Sequence, residues 1–273
     1  MRVTRYVRRF LPLTFFLVAS ISFGGIVISG LLTHEYIVTP GDTYEGSIVV
    51  QNPDKDPQEV RIYQTDYLFS ADGTTLYGDP GSAPRTNARW ISVAPTQLIV
   101  PPNESATIRY TVQVPDDAGL KGTYWSVLMV EPVDSDAPDS SVAAVKDQVT
   151  MGVRQVLRYA VQVVTHVGDT GTRQLKFAQV KLGTGAEKRQ LLVDAENTGE
   201  RWLRGTLWIE IYKPDGSLLG RFDADRKRMY PGTSVRYGVD LASVAAATYK
   251  ALIVIDCGGD DVFGASINLV LGN

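Results

Sequence analysis

The sequence predicts an all-β protein built as two tandem β-sandwiches behind an apolar N-terminal segment. Three observations carry this. Beyond residue 35, period-2 alternation of apolar and polar residues takes the place of helical periodicity. Gly, Pro, Asn and Asp interrupt the chain every 8 to 20 residues or so, roughly the rhythm of short strands in a sandwich. Three strand-like stretches also occur twice, in the same order. "SIVVQNPDKD" is answered by "LLVDAENTGE", "ATIRYTVQVP" by "TSVRYGVDL", and "GTYWSVLMVEP" by "ATYKALIVIDCGG". Such an ordered repeat marks a duplicated structural unit rather than a duplicated active site.

Composition fits this reading. The 273 residues, 44% hydrophobic and 21% charged, are enough for two globular domains. A net charge of -3 and a pI near 5.5 give no electrostatic footprint for nucleic acid. At the N-terminus Arg2, Arg5, Arg8 and Arg9 precede the uncharged run "LPLTFFLVASISFGGIVISGLL". A basic stretch followed by an apolar one is the pattern of a secretory signal, and its length also approaches that of a membrane span. Residues 1–32 are therefore either a cleaved signal peptide or an uncleaved N-terminal anchor, with the rest exported. Any membrane contact would be through that segment alone.

The elements follow in order. "YEGSIVVQN" reads as a strand closed by the turn "NPDKD", and "QEVRIYQTDYLF" as a strand stopped at "SADG". "QLIVPPNESATIRYTVQVP" is two strands around a Pro-Pro-Asn turn, and "TYWSVLMVEP" is the next strand. Residues 133–147, "VDSDAPDSSVAAVKD", are small, acidic and Pro-bearing, and read as an exposed loop. After them "QVTMGVRQVLRYAVQVVTHVG" alternates over an unusual length. Val149, Met151, Val153, Leu157, Tyr159, Val161 and Val163 share one parity, while Arg154, Arg158 and Gln162 share the other. Length permits a helix here, but the density of valine and the alternation favour a strand. "GDTGTRQ" around Gly168 is the expected joint, giving domains of 35–167 and 171–273. Beyond it "LKFAQVKLG", "RQLLVDAENTGE", "LRGTLWIEIYKPDGSLLGRF", "RMYPGTSVRYGVDL", "ATYKALIVIDCGG" and "GASINLVL" restart the strand pattern, with "KPDG" a hairpin turn.

Little in the chain points to catalysis. His34 and His166 are the two histidines and Cys257 the single cysteine, too few for a zinc cluster or an intrachain disulfide. No nucleophile elbow, phosphate-binding loop or dinucleotide fingerprint is present. No metal, cofactor or enzymatic activity is expected. "DCGGDD", with Asp256, Asp260 and Asp261, lacks the spacing of a known calcium loop and reads as a solvated hairpin turn. Arg226, Lys227 and Arg228 read as a solvated basic loop. Trp125 and Trp208 sit in apolar strands and are expected in the core; Trp90 and Trp202 begin strands and are expected to be partly exposed.

The first half resembles the periplasmic pilus-assembly chaperones of the PapD-like superfamily. The resemblance lies in "RWISVAPTQLIVPPNESATIRY", in "GTYWSVLMVEP", and in the long strand "QVTMGVRQVLRYAV" after an exposed loop. It implies two immunoglobulin-like domains and a non-enzymatic function in which that strand is lent to a β-rich partner subunit. Carried over by position, the donating residues are Val149, Met151, Val153 and Leu157. The same family grips its subunit's C-terminal carboxylate with an Arg on the first strand and a Lys in the cleft. Here "THEYIVTPGD" supplies no first-strand Arg, and the cleft position falls at Val156, leaving Arg154 and Arg158 as possible carboxylate anchors. "EYIVTPGDTYEGSIVVQN" is also similar to bacterial cell-envelope proteins of tandem immunoglobulin-like domains that interact with WxL surface proteins and the wall. That second resemblance implies a structural or adhesion role, with a surface protein as partner. Both place the protein in the periplasm or cell envelope, with anchoring to the inner membrane if the leader is retained.

Overall fold

A computed structural model of the chain describes residues 25–133, 157–183 and 189–272. Strands dominate, as the alternation predicts. The first ten are β1 (Val27–Ser29), β2 (Thr33–Val38), β3 (Thr43–Gln51), β4 (Gln58–Phe69), β5 (Thr75–Gly78), β6 (Ile91–Ala94), β7 (Gln97–Val100), β8 (Ser105–Gln113), β9 (Gly122–Pro132) and β10 (Tyr159–Val167). One sheet has the order β1-β3-β8-β6; the facing sheet has the order β2-β10-β9-β4-β5, with β7 also on β4. Between them lies a core of alternating residues, among them Ile48, Val50, Ile62, Ile108, Val112, Leu128, Val130, Val161 and Val163.

The second set is β11 (Leu175–Leu182), β12 (Gln190–Asn197), β13 (Leu203–Tyr212), β14 (Leu218–Met229), β15 (Ser234–Asp240), β16 (Thr248–Asp256) and β17 (Val262–Val270). Its sheets run β11-β12-β15 and β14-β13-β16-β17. They enclose a second core that includes Leu191, Val193, Leu207, Ile209, Tyr237, Val239 and Ile253.

The internal repeat has a physical basis in two buried asparagines. Asn52, at the end of the β3 turn, donates from Nδ2 to the carbonyls of Asp56, Val100 and Pro101. Asn197, at the end of β12, donates in the same way to Arg201 and Met229. Each side chain satisfies carbonyls that the turn would otherwise bury without partners, so each sandwich needs its Asn at this point. The strand after the Pro turn repeats as well. Tyr110 on β8 and Tyr237 on β15 are both buried; the Tyr110 ring lies over Gly46, its partner on β3, and the Tyr237 hydroxyl donates to the Gly205 carbonyl at 3.0 Å. A Cβ at Gly46 would come within 2.1 Å of Tyr110 Cζ, so no other residue fits there unless the ring moves.

Three sequence expectations need correction. Among the described residues the sheets begin at Val27, inside the apolar run, and Ile26 is buried in the first core. A three-residue strand inside an apolar run leaves no periodic trace. The basic run Arg226–Arg228 belongs to strand β14 rather than to a loop, because its neighbours Phe222, Ala224 and Met229 pack on the second core. Trp125 is buried as expected, and Trp208 is not. Trp125 packs between the sandwiches, and Trp208 is half-buried with the Arg221 guanidinium 4.0 Å from its ring centre. "DCGGDD" does form the turn from β16 to β17, and Trp90 and Trp202 are indeed half-buried.

Candidate partner-binding edge

The long alternating segment enters the described structure at Leu157 and becomes β10. The parity read from sequence is kept. Val161 and Val163 point into the first core and Tyr159 packs against it. β10 pairs antiparallel with β9 along its whole length, from Tyr159 opposite Val130 to Val167 opposite Gly122. On the other side it pairs in parallel with β2, but only from Gln162 opposite Thr33 to Val167 opposite Val38. The first bond of that ladder runs from the Gln162 amide to the Leu32 carbonyl, 2.8 Å. Residues 162, 164 and 166 therefore direct their backbone groups at β2, and Ala160 directs its own the same way. Among the described residues no strand lies opposite Ala160 on that side. Leu31, Leu32 and Leu157, near the point where β2 leaves β10, are 77%, 43% and 54% exposed.

Val149, Met151, Val153 and Arg154 lie outside the described residues. Leu157 stands exposed just before β10. Arg158 places Nε 3.0 Å from the Glu131 carboxylate. Glu131 also accepts from the Arg61 guanidinium and, at 3.2 Å, from the Tyr63 hydroxyl. Arg158 thus already faces an internal carboxylate, shared with a second arginine.

The opposite face of β9 and β10 meets the second sandwich in a packed interface; the sequence points only to the linker around Gly168. Trp125, Val164 and Tyr230 form a small buried cluster, with Tyr67, Leu68, Phe69 and Trp202 packed around it. Trp125 and Tyr230 stack with centroids 4.8 Å apart, and the Tyr230 hydroxyl donates to Gln162 Oε1 at 2.6 Å. Burial drives the Tyr230 phenol up to about 12, so it stays a donor. Arg228 lies over Trp202 and holds Glu35 of β2 at 2.5 Å. On the other flank Glu200 accepts from Lys121 and Arg85, and its carbonyl takes the Thr123 amide.

His166 sits at the heart of this joint. Its Nδ1 is 2.9 Å from Thr123 Oγ1 and its ring stacks on Trp202. Its Nε2 is buried with no hydrogen-bond partner; the nearest carboxylate oxygen, on Glu35, is 3.9 Å away. Burial, reinforced by Arg201 and Arg228, lowers its pKa to about 4, so the ring is neutral at pH 7. The one sequence signal for this joint was the departure from the repeat within "TYWS", where Trp125 replaces the Lys250 of "TYKA".

The sequence matches no protein-family model and no curated protein. Among solved structures it is similar to the class 5 fimbriae chaperone CfaA, at 15% identity and a TM-score of 0.45, covering 90% of this chain and 99% of that one. It is also similar to a chain of the CsuC–CsuE chaperone–tip adhesion subunit pre-assembly complex of Acinetobacter baumannii. There the identity is 12% and the TM-score 0.44, over 89% of this chain and 97% of that one. A third likeness is the Pseudomonas aeruginosa CupB2 chaperone, at 13% identity and a TM-score of 0.40, over 90% and 100%. The tandem-sandwich architecture itself rests on the four sheets and two cores described above.

Proposed function

We propose that this chain is an exported, non-enzymatic protein-binding module of the pilus-chaperone kind, working in the periplasm or cell envelope. It engages a β-rich partner by backbone pairing along the edge that begins at Ala160 and continues upstream. The observation that supports this is the uneven cover of β10, sealed by β2 from Gln162 onward and, among the described residues, uncovered before it. A bare edge supplies main-chain donors and acceptors in register, while alternate side chains supply selectivity. In this reading Val149, Met151, Val153 and Leu157 extend the core parity of β10 and enter the partner's interior. Arg154 and Arg158 lie on the other parity, where Arg158 would have to leave Glu131 to hold a partner's carboxylate.

The test is site-specific photo-crosslinking in the source cell. A crosslinker at Met151 or Val153 is expected to capture a discrete polypeptide that one at Thr75, on a distant strand, does not. Val149→Asp, Met151→Asp and Val153→Asp should each abolish the adduct and leave the melting temperature within about 2 °C, as expected of surface positions. A large fall in melting temperature would show that these residues belong to the protein's own core, and strand donation would then be excluded.

A further inference from the structure

A second edge stands out in the second sandwich. Strand β17, "VFGASINLV", is the terminal strand of its sheet and pairs with β16 over nine residues without a register shift. It carries no charge and no proline. The opposite edge of the same sheet is guarded: β14 holds Arg221, Asp223, Asp225, Arg226, Lys227 and Arg228, and its ladder with β13 is broken by two irregularities. The edge strand β11 of the facing sheet carries Lys176 and Lys181 and a bulge, and the edge strand β15 carries Arg236 and Asp240. In the first sandwich β5 and β6 are four residues long and β1 three, while β2 carries His34 and Glu35. Charges, bulges and short length are the usual devices that stop sheet edges from pairing with other chains. Among the described residues, β17 is the one long edge with none of them.

The pattern along β17 specifies its own complement. Flanking bonds run from the Cys257 amide to the Asp261 carbonyl and from the Leu271 amide to the Ala247 carbonyl. By alternation, Phe263, Ala265, Ile267 and Leu269 direct their backbone groups at β16, and Val262, Gly264, Ser266, Asn268 and Val270 direct theirs outward. An antiparallel copy centred on Ser266 places Val262 opposite Val270, Gly264 opposite Asn268, and Ser266 opposite itself. Every outward backbone group then finds a partner. Val262 and Val270, 52% and 61% exposed, would cover each other at both ends. On the inner face Phe263 meets Leu269 and Ala265 meets Ile267, each a large residue against an equal or smaller one. No like charges meet anywhere along the seam.

We infer that β17 is a self-association edge: two copies of this chain join through antiparallel β17 strands about a two-fold axis at Ser266. Their four-stranded sheets then form one continuous sheet across the dimer. This association involves only β17 and its neighbours and is independent of strand donation from β10.

The experiment uses the full chain and follows its mass by analytical ultracentrifugation from 1 to several hundred micromolar, a range chosen to span typical weak dimers. The wild type is expected to dimerise with concentration. Ser266→Lys and Ser266→Asp lie on the solvent face, so each should fold with an unchanged melting temperature. Each alone should weaken dimerisation at least tenfold, since identical charges face each other at the axis. Mixing the two variants should restore association, because Lys then meets Asp. A wild type that stays monomeric throughout would overturn the inference. So would a dimer unaffected by either variant, or a mixture no tighter than its components.

Discussion

The two copies of the Thr-Tyr strand, β9 and β16, share an inner face and differ in the outer one. Inward, Leu128 and Val130 of β9 and Ala251, Ile253 and Ile255 of β16 fill equivalent cores. Outward, β16 shows Thr248 and Lys250 to solvent, while β9 buries Thr123, Trp125, Val127, Met129 and Glu131. The duplicated pattern therefore encodes the sandwich, and the places where the copies diverge encode what the sandwich touches. Trp125 replaces Lys250 where the second sandwich docks, and its ring lies against Tyr230.

Exchanging the divergent residues should break that contrast most strongly. Trp125→Lys puts an unpaired charge into the joint and deletes the Tyr230 stack. A loss of about 3 to 5 kcal/mol is expected, with the single calorimetric transition splitting in two as the sandwiches uncouple. A single transition close to that of the wild type would mean the joint couples nothing.

The closely packed glycines give the next largest effect. Gly46→Ala drives a methyl into the Tyr110 ring and should cost roughly 1 to 3 kcal/mol, read by urea unfolding. Gly205→Ala should cost a similar amount for a different reason, since its Cβ would meet Ile255 Cγ2 at 2.4 Å. A neutral Gly46→Ala would mean the Tyr110 ring is not fixed there, and a neutral Gly205→Ala would mean the same of Ile255.

His166 gives the joint a pH dependence that the solvent-facing copy lacks. Its folded pKa of about 4 lies below the 6.5 of a free imidazole, so the unfolded chain takes up a proton that the folded one declines. The contribution is complete above pH 6.5 and is lost as the pH falls toward 4, amounting to about 3 kcal/mol. His166→Gln should flatten the fall in melting temperature between pH 7 and 4.5; an unchanged slope would assign it to the carboxylates. Smallest of all is Lys250→Trp, which copies Trp125 onto the open face of β16. It should move stability by no more than about 0.5 kcal/mol, because position 250 is exposed and no second sandwich covers it. A gain or loss several times larger would show that the outer face of β16 is not open.

The legibility of the molecule follows the same division. Alternation and turn residues revealed most strands and the duplication, because inward residues repeat at period 2 whichever sandwich holds them. The parity of β10 was legible for that reason, with Tyr159, Val161 and Val163 placed together on one face. The packing at the joint was not, since Trp125, His166, Trp202 and Arg228 are remote in sequence and each has an ordinary reading on its own strand. The early start at Val27 was hidden because an apolar strand inside an apolar run has no contrast. The limit of β2's cover at Gln162 is a register, and a parallel ladder between residues more than a hundred positions apart leaves no local signature.

That limit is where the account is most exposed. Residue-resolved hydrogen exchange on the free protein compares Ala160 with Gln162 and Val164, three amides on the same side of β10. Ala160 should exchange on the order of a hundredfold faster than the two that β2 covers, and should slow when a captured partner is present. An Ala160 amide as protected as that of Val164 in the free protein would mean the edge is already closed, and the proposed binding mode would be wrong.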